Sequence, residues 1–254
     1  KPLPLNDTKL GEKLCETFWD CLNGDFRPGT GALRVGVDLG TANIVTAVVD
    51  SEDNPVAGRI KRAQVVRDGI VVNFVEARNI VEKMLEELRY ELGADLKYGA
   101  CAVPPGTGEG DFRAVKYVVE SAGLEVSDVF EEPVAAAKVL GMADQAIVDI
   151  GGGTTGISII KSGEVVYTAD EATGGVHFTL VIAGNFGIDF DMAEKMKLDT
   201  ANQKRLLPVV KPVMEKVATI IDKHICGHDV EKICLVGGTS SFEGLKDVVE
   251  QITG

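Results

Sequence analysis

Leu10, Leu14, Phe18 and Leu22 recur four residues apart, which places four apolar side chains on one face of a helix near the start of the chain. Asn23-Gly24-Asp25 and Pro28-Gly29-Thr30-Gly31 then break the pattern, so residues 1–32 read as an amphipathic helix and a linker. Such a stripe ordinarily docks on its own protein; docking of a partner is the alternative. From Leu33 onward, short β-branched runs alternate with segments of helical period, the pattern of an α/β protein. The spacing predicts strands at about 56–63 and 100–103, and helices at about 75–92 and 111–122. Further on it predicts a strand at 165–168, helices at about 177–186, 192–197 and 209–225, a strand at 233–236 and a last helix beyond.

Two segments share one grammar. Residues 35–49, VGVDLGTANIVTAVV, and residues 147–160, IVDIGGGTTGISII, are each an apolar strand, an Asp, a Gly-Thr turn and a second β-branched strand. Each predicts a hairpin whose glycines allow conformations closed to other residues. The repeat divides the rest of the chain into a first lobe, 33–143, and a second, 144–254, and implies a cleft between two like lobes.

One stretch invites a different reading. AVPPGTGEG, residues 102–110, looks like a phosphate-binding loop, but Val103 stands where its first Gly belongs, Glu109 where its Lys belongs and Gly110 where its Ser or Thr belongs. A carboxylate in place of the ammonium repels a triphosphate. The stretch is read as the end of a core strand, a Pro-Gly turn and the approach to a helix.

Composition narrows the function classes. The 254 residues are 45% hydrophobic, enough for a full core. Lys and Arg number 26 against 39 Asp and Glu, a formal charge of −13 with the basic residues dispersed, which argues against nucleic acid and acidic membranes as partners. Cys15, Cys21, Cys101, Cys226 and Cys234 form no C-x-x-C pair and suit a reducing, cytoplasmic setting. No apolar run approaches a membrane span and no secretory signal is evident; the opening Lys1 in place of Met reads as a fragment or processed chain.

The hairpin tips carry the candidate chemistry. Successive N–H groups of Gly and a Thr hydroxyl form an anion-binding concavity that needs no Lys. Two such tips could grip a di- or triphosphate, and Asp38 and Asp149 beside it would need a cation; water-bound Mg²⁺ meets that need. Each Asp could instead cap its own turn. Two tips at matching positions of a repeat favour nucleotide binding.

In order, VGVDLGTANIVTAVVD, FEEPVAAAKVLG, IVDIGGGTTGISII, EATGGVHF, MAEKMK and ICLVGGTSSFEGL resemble the nucleotide-site motifs of the actin-like ATPase superfamily, which includes DnaK-type chaperones, MreB and FtsA. The likeness runs from Leu33 almost to the end. VVRDGIVV and PPGTGEGD look like its DnaK-like branch from ethanolamine-utilisation operons, predicted chaperones associated with bacterial microcompartments. The resemblance implies two ribonuclease H-like lobes with reduced subdomain inserts, binding ATP or ADP with Mg²⁺. It implies Asp38, Gly40, Thr41 and Asn43 as the first phosphate loop, and Asp149 with Gly151, Gly152, Gly153 and Thr154 as the second. Asp38 and Asp149 would hold the metal through water. It makes Gly174 and Gly175 a pair approaching the phosphates, Glu194 and Lys197 the ribose holders, Gly237, Gly238 and Thr239 the adenosine loop, and Glu132 the carboxylate that positions the attacking water. The residues allow plainer roles: Glu132 before Pro133 could cap a helix, Glu194 and Lys197 could be an exposed pair, and His177 reads as structural.

The departures matter too. Gly156 stands where many relatives carry an acid that organises metal and water, so hydrolysis is expected to be slow or absent while binding survives. Nothing matches a peptide-binding domain, and the chain stops soon after the adenosine loop. The resemblance implies, as partners, ethanolamine-utilisation enzymes or microcompartment shell proteins, and homo-oligomers are compatible with it. A non-hydrolysing scaffold and a small-molecule kinase of the same superfamily are the rival readings; no second acidic constellation suits a kinase.

Overall fold

The computed structural model describes residues 8–67, 70–141 and 143–254. The chain divides into two compact units, Lys1–Met142 and Ala143–Gly254.

The first unit opens with α1 (Thr8–Leu22), followed by β1 (Arg34–Leu39), β2 (Asn43–Val49), β3 (Pro55–Arg62) and the short pair β4 (Val66–Arg67) and β5 (Ile70–Val71). Then come α2 (Phe74–Leu92), β6 (Tyr98–Val103), α3 (Glu109–Ser121), β7 (Glu125–Glu131) and α4 (Glu132–Leu140). The main sheet has the order β3-β2-β1-β6-β7, antiparallel through β1-β2-β3 and parallel from β1 through β6 to β7. Alternation sets its faces: Val35, Val37 and Leu39 of β1 and Ile44 and Val48 of β2 are buried between half-exposed neighbours. α2 lays Ala77, Val81, Met84, Leu85 and Leu88 on the same core. It starts where the Asn73 side chain accepts from Glu76 N–H and stops at Gly93 in the left-handed region.

The apolar stripe of α1 is spent on its own unit. Phe18 and Leu22 lie over Gly58 of β3, where a Cβ would come within 2.5 Å of the Phe18 ring, and Gly11 abuts the backbone of α4 at Val139 and Leu140. Cys21 is fully buried in this contact, while Trp19, on the other side, is 65% exposed.

The second unit holds β8 (Gln145–Ile150), β9 (Thr155–Lys161), β10 (Glu164–Glu171), α5 (Gly175–Phe186), α6 (Phe190–Leu198), α7 (Thr200–Ile225), β11 (Ile233–Val236), a 3₁₀ turn (Gly238–Ser241) and α8 (Leu245–Thr253). Its sheet order is β10-β9-β8-β11, antiparallel through the first three and parallel between β8 and β11. That repeats the β3-β2-β1-β6 order of the first unit, so the sequence repeat is a repeat of topology. Phe178, Leu206, Met214, Ile221 and Leu245 pack with Ile150 and Ile157 in one core.

The structure departs from the sequence reading at α7, which begins at Thr200, not near Val209, and carries Pro208 and Pro212 inside it. Asp199 caps it by accepting from Ala201 N–H. Both prolines are exposed and four residues apart, so the backbone bonds they remove fall on the solvent-facing side of the helix, where a proline is best tolerated. Strand β7 is a further addition: its run EVSDVFE lacks clean alternation, and parallel pairing with β6 makes it a strand.

Candidate functional site

The stretch that mimics a phosphate loop is a turn. After β6, Gly106 takes φ 71°, the Thr107 hydroxyl donates to Pro104 O at 2.6 Å, and Gly106 N–H donates to the Glu131 carboxylate at 3.1 Å. A loop amide already bound to a carboxylate is no phosphate cradle.

In the first unit, Asp38 lies next to the end of β1, opposite Val45, and Gly40 and Thr41 form the tip leading to Asn43 of β2. A Cβ on Gly40 would lie 2.9 Å from Asn43 O, so the tip closes only around glycine. Glu132 is the first residue of α4, an acid in its first turn; Glu131 occupies the cap position and makes no side-chain capping bond.

The second unit brings its sequence-selected residues together. Asp149 lies near the end of β8, opposite Gly156 of β9 and beside Val236 of β11. The tip Gly151-Gly152-Gly153-Thr154 closes with Gly151 N–H donating to Thr154 O at 3.0 Å. From behind, Gly175 N–H donates to Gly151 O at 3.0 Å, Val176 N–H to Gly152 O at 2.8 Å, and the Thr239 hydroxyl to Gly151 O at 2.8 Å. Gly174 must be glycine, because its Cβ would lie 2.8 Å from both carbonyl oxygens. By contrast, the N–H groups of Gly152, Gly153 and Thr154 donate to no backbone carbonyl among the described residues. They form a run of consecutive donors, the pattern that binds an anion.

Asp149 sits at the base of this cradle. Gly237, at φ 86°, passes so close that a Cβ there would fall 2.3 Å from Asp149 Oδ1. Burial pushes the Asp149 carboxyl up to about 6. A cation beside it would lower that value again.

Glu194 is buried and Lys197 mostly so; they are not an exposed pair. Lys197 Nζ lies 2.7 Å from Glu194 Oε2 and donates to Gly175 O at 3.1 Å, and the Thr179 hydroxyl bonds to the same carboxylate. The pair thus ties α6 to the first turn of α5. His177 accepts from Gly174 N–H through Nδ1 at 3.3 Å, a local contact in keeping with a structural role.

Several contributors escaped the sequence reading. The Thr155 hydroxyl donates to Thr173 O at 2.6 Å and holds β9 to the segment before α5. Gln203 is buried and accepts from Glu243 N–H at 3.0 Å, just after the 3₁₀ turn in sequence. Thr179 had a signal, being a polar residue in the apolar run GVHFTLVIAGNF; the others are set by tertiary contacts. A separate groove of about 400 Å³ on α2, lined by Asn73, Val75, Glu76, Asn79, Ile80 and Lys83, shares no residue with these loops. Among the described residues there is no metal-binding cluster of His, Cys, Asp and Glu.

Two units with one sheet order, each with an acid at the foot of a Gly-Thr hairpin tip, define an actin-like ATPase fold. Solved structures of that fold superpose on the chain: MreB5 of Spiroplasma citri bound to ADP, with TM-score 0.67 and 18% identity over 89% of this chain and 90% of that one, and a PilM–PilN type IV pilus biogenesis complex, with TM-score 0.71 and 16% identity over 89% and 87%. A family model described as type IV pilus assembly protein PilM matches residues 117–254. The ethanolamine utilization protein EutJ of Salmonella typhimurium is 46% identical over 219 residues, 86% of this chain and 77% of that protein, and EutJ of Escherichia coli is 45% identical over 216 residues, 85% and 76%. The crystal structure of EutJ from Carboxydothermus hydrogenoformans has TM-score 0.93 and 40% identity over 98% of this chain and 92% of that one. The chain belongs to the EutJ family.

Proposed function

We propose that this chain binds ATP and ADP with Mg²⁺ and serves ethanolamine utilisation as a chaperone or assembly factor, hydrolysing ATP slowly or not at all. The observation that carries the nucleotide reading is the cradle in the second unit, where the N–H groups of Gly152, Gly153 and Thr154 donate to no backbone carbonyl among the described residues, in the loop that follows the strand carrying the buried Asp149 carboxyl. The donor set fits a hard cation: a buried carboxyl that must ionise next to an anion gains from Mg²⁺, held through water, which would neutralise phosphate charge. Asp38 holds the matching position in the first unit. MreB5 of Spiroplasma citri, bound to ADP in one crystal structure and to AMPPNP in another, supports nucleotides as the ligand class.

Slow hydrolysis rests on Gly156, which brings no carboxylate opposite Asp149. The names of the EutJ relatives support the setting, and through it ethanolamine-utilisation enzymes or microcompartment shell proteins as clients in the cytoplasm. No described helix is long and apolar enough to cross a membrane. A non-hydrolysing scaffold is the second reading, and Gly156 favours it; its docking surface would not be the stripe of α1, which the protein's own β3 and α4 cover. Refolding of purified ethanolamine-utilisation enzymes with and without the chain, in ADP and in ATP, tests the role. A nucleotide-dependent gain in recovered activity is expected; capture of the enzymes without any nucleotide dependence would transfer the role to the scaffold.

A further inference from the structure

We propose that Thr239 is a positioning residue for the phosphate cradle, acting through the Gly151 carbonyl and not by touching the nucleoside. The inference rests on the nucleotide reading above. In a trans peptide the C=O and the following N–H point in opposite directions. The Gly151 oxygen is held from behind by two donors, Gly175 N–H at 3.0 Å and the Thr239 hydroxyl at 2.8 Å, so the Gly152 N–H of the same peptide is aimed out of the loop. The Gly152 oxygen is held in turn by Val176 N–H at 2.8 Å, which aims Gly153 N–H likewise. A chain of glycines has no side chains to fix these peptide planes, and without the two clamps the N–H groups would have to be ordered when the anion arrives.

Thr239 is the side-chain member of this clamp. Gly175 leaves room for it, since a Cβ there would lie 2.5 Å from Thr239 Oγ1. The 3₁₀ turn that carries Thr239 follows β11, and β11 is fixed to β8 in register, Val236 beside Asp149, so the hydroxyl and the loop it braces hang from neighbouring strands. A Thr reaching a loop 88 residues away thus orders donors that it does not itself supply.

The test compares the wild-type chain with Thr239→Val, which keeps the shape and removes the hydroxyl, and Thr239→Ser, which keeps the hydroxyl. Titration calorimetry with ADP, pyrophosphate and adenosine is paired with ¹⁵N order parameters of Gly152 and Gly153 in the ligand-free protein. The expected result is about tenfold weaker binding of ADP and pyrophosphate to Thr239→Val, unchanged adenosine binding and lower order parameters at both glycines, with Thr239→Ser close to wild type. Equal loss for adenosine and pyrophosphate, or no loss for either, would overturn the assignment. If the wild type binds neither ADP nor pyrophosphate, the nucleotide reading fails; unchanged order parameters would then remove the bracing role as well, and lowered ones would retain it.

Discussion

Lys197 and Glu194 form a buried ion pair on α6, with Nζ 2.7 Å from Oε2 and side chains 11% and 10% exposed. One turn of helix separates them, and the ammonium also reaches the Gly175 carbonyl at the start of α5. Removing one partner leaves a buried charge without its mate, which costs about 3 kcal/mol. Lys197→Met should lower stability in urea denaturation by about that amount, and the double change Glu194→Leu with Lys197→Met by clearly less. Equal losses in the single and double variants would show that the pair is not coupled.

Asp149 makes stability fall with rising pH. Its carboxyl is pushed up to about 6 from an unperturbed 3.8, so between those values the native state holds a proton that the unfolded chain has released. The contribution is fully present below about pH 4 and is lost as pH rises through about 6. Asp149→Asn, neutral throughout, should flatten this slope in urea denaturation between pH 4.5 and 7.5 and be the more stable form at pH 7.5. Mg²⁺ should bind the wild type more weakly at pH 5 than at pH 7.

Asp50 acts in the opposite sense. Burial alone would raise its carboxyl, but N–H bonds from Asn54, Thr30 and Glu52 and the Thr30 hydroxyl hold it well below the usual carboxylate range. Its stabilising contribution is present above about pH 4 and lost as pH falls further. Asp50→Asn should reduce stability at pH 7 and converge with wild type in strong acid, as followed by circular dichroism.

Gly58 sets how closely α1 approaches the first sheet. A Cβ there meets the Phe18 ring at 2.5 Å and Leu22 at 3.1 Å, so Gly58→Val should push α1 off β3 and cost about 1–3 kcal/mol. Limited proteolysis should then cut near residues 23–31 well before it attacks the rest of the chain. Unchanged resistance would mean that α1 is held by other contacts.

Much of this was legible in the sequence because the determinants are local. Short apolar and β-branched runs located β1, β2 and β11, helical period located α2 and α5, and the repeated Asp, Gly and Thr marked both hairpin tips. The start of α7 was hidden because a proline such as Pro208 ordinarily interrupts a helix; its tolerance depends on which face meets water, which no local pattern states. Strand β7 exists by pairing with β6. In the site, glycine positions could be read from motif order, but their cause could not. Gly174 is required by the carbonyls of Gly151 and Gly152, and Gly237 by the carboxyl of Asp149, contacts that only the folded unit creates.

The most direct test of the central claim is titration of the wild-type chain with ADP in Mg²⁺, alongside Gly174→Val, whose side chain would enter the space of the Gly151 and Gly152 carbonyls and displace the cradle. The account predicts that the wild type binds and the variant, still folded by circular dichroism, does not. Equal binding by both, or no binding by the wild type, would contradict it.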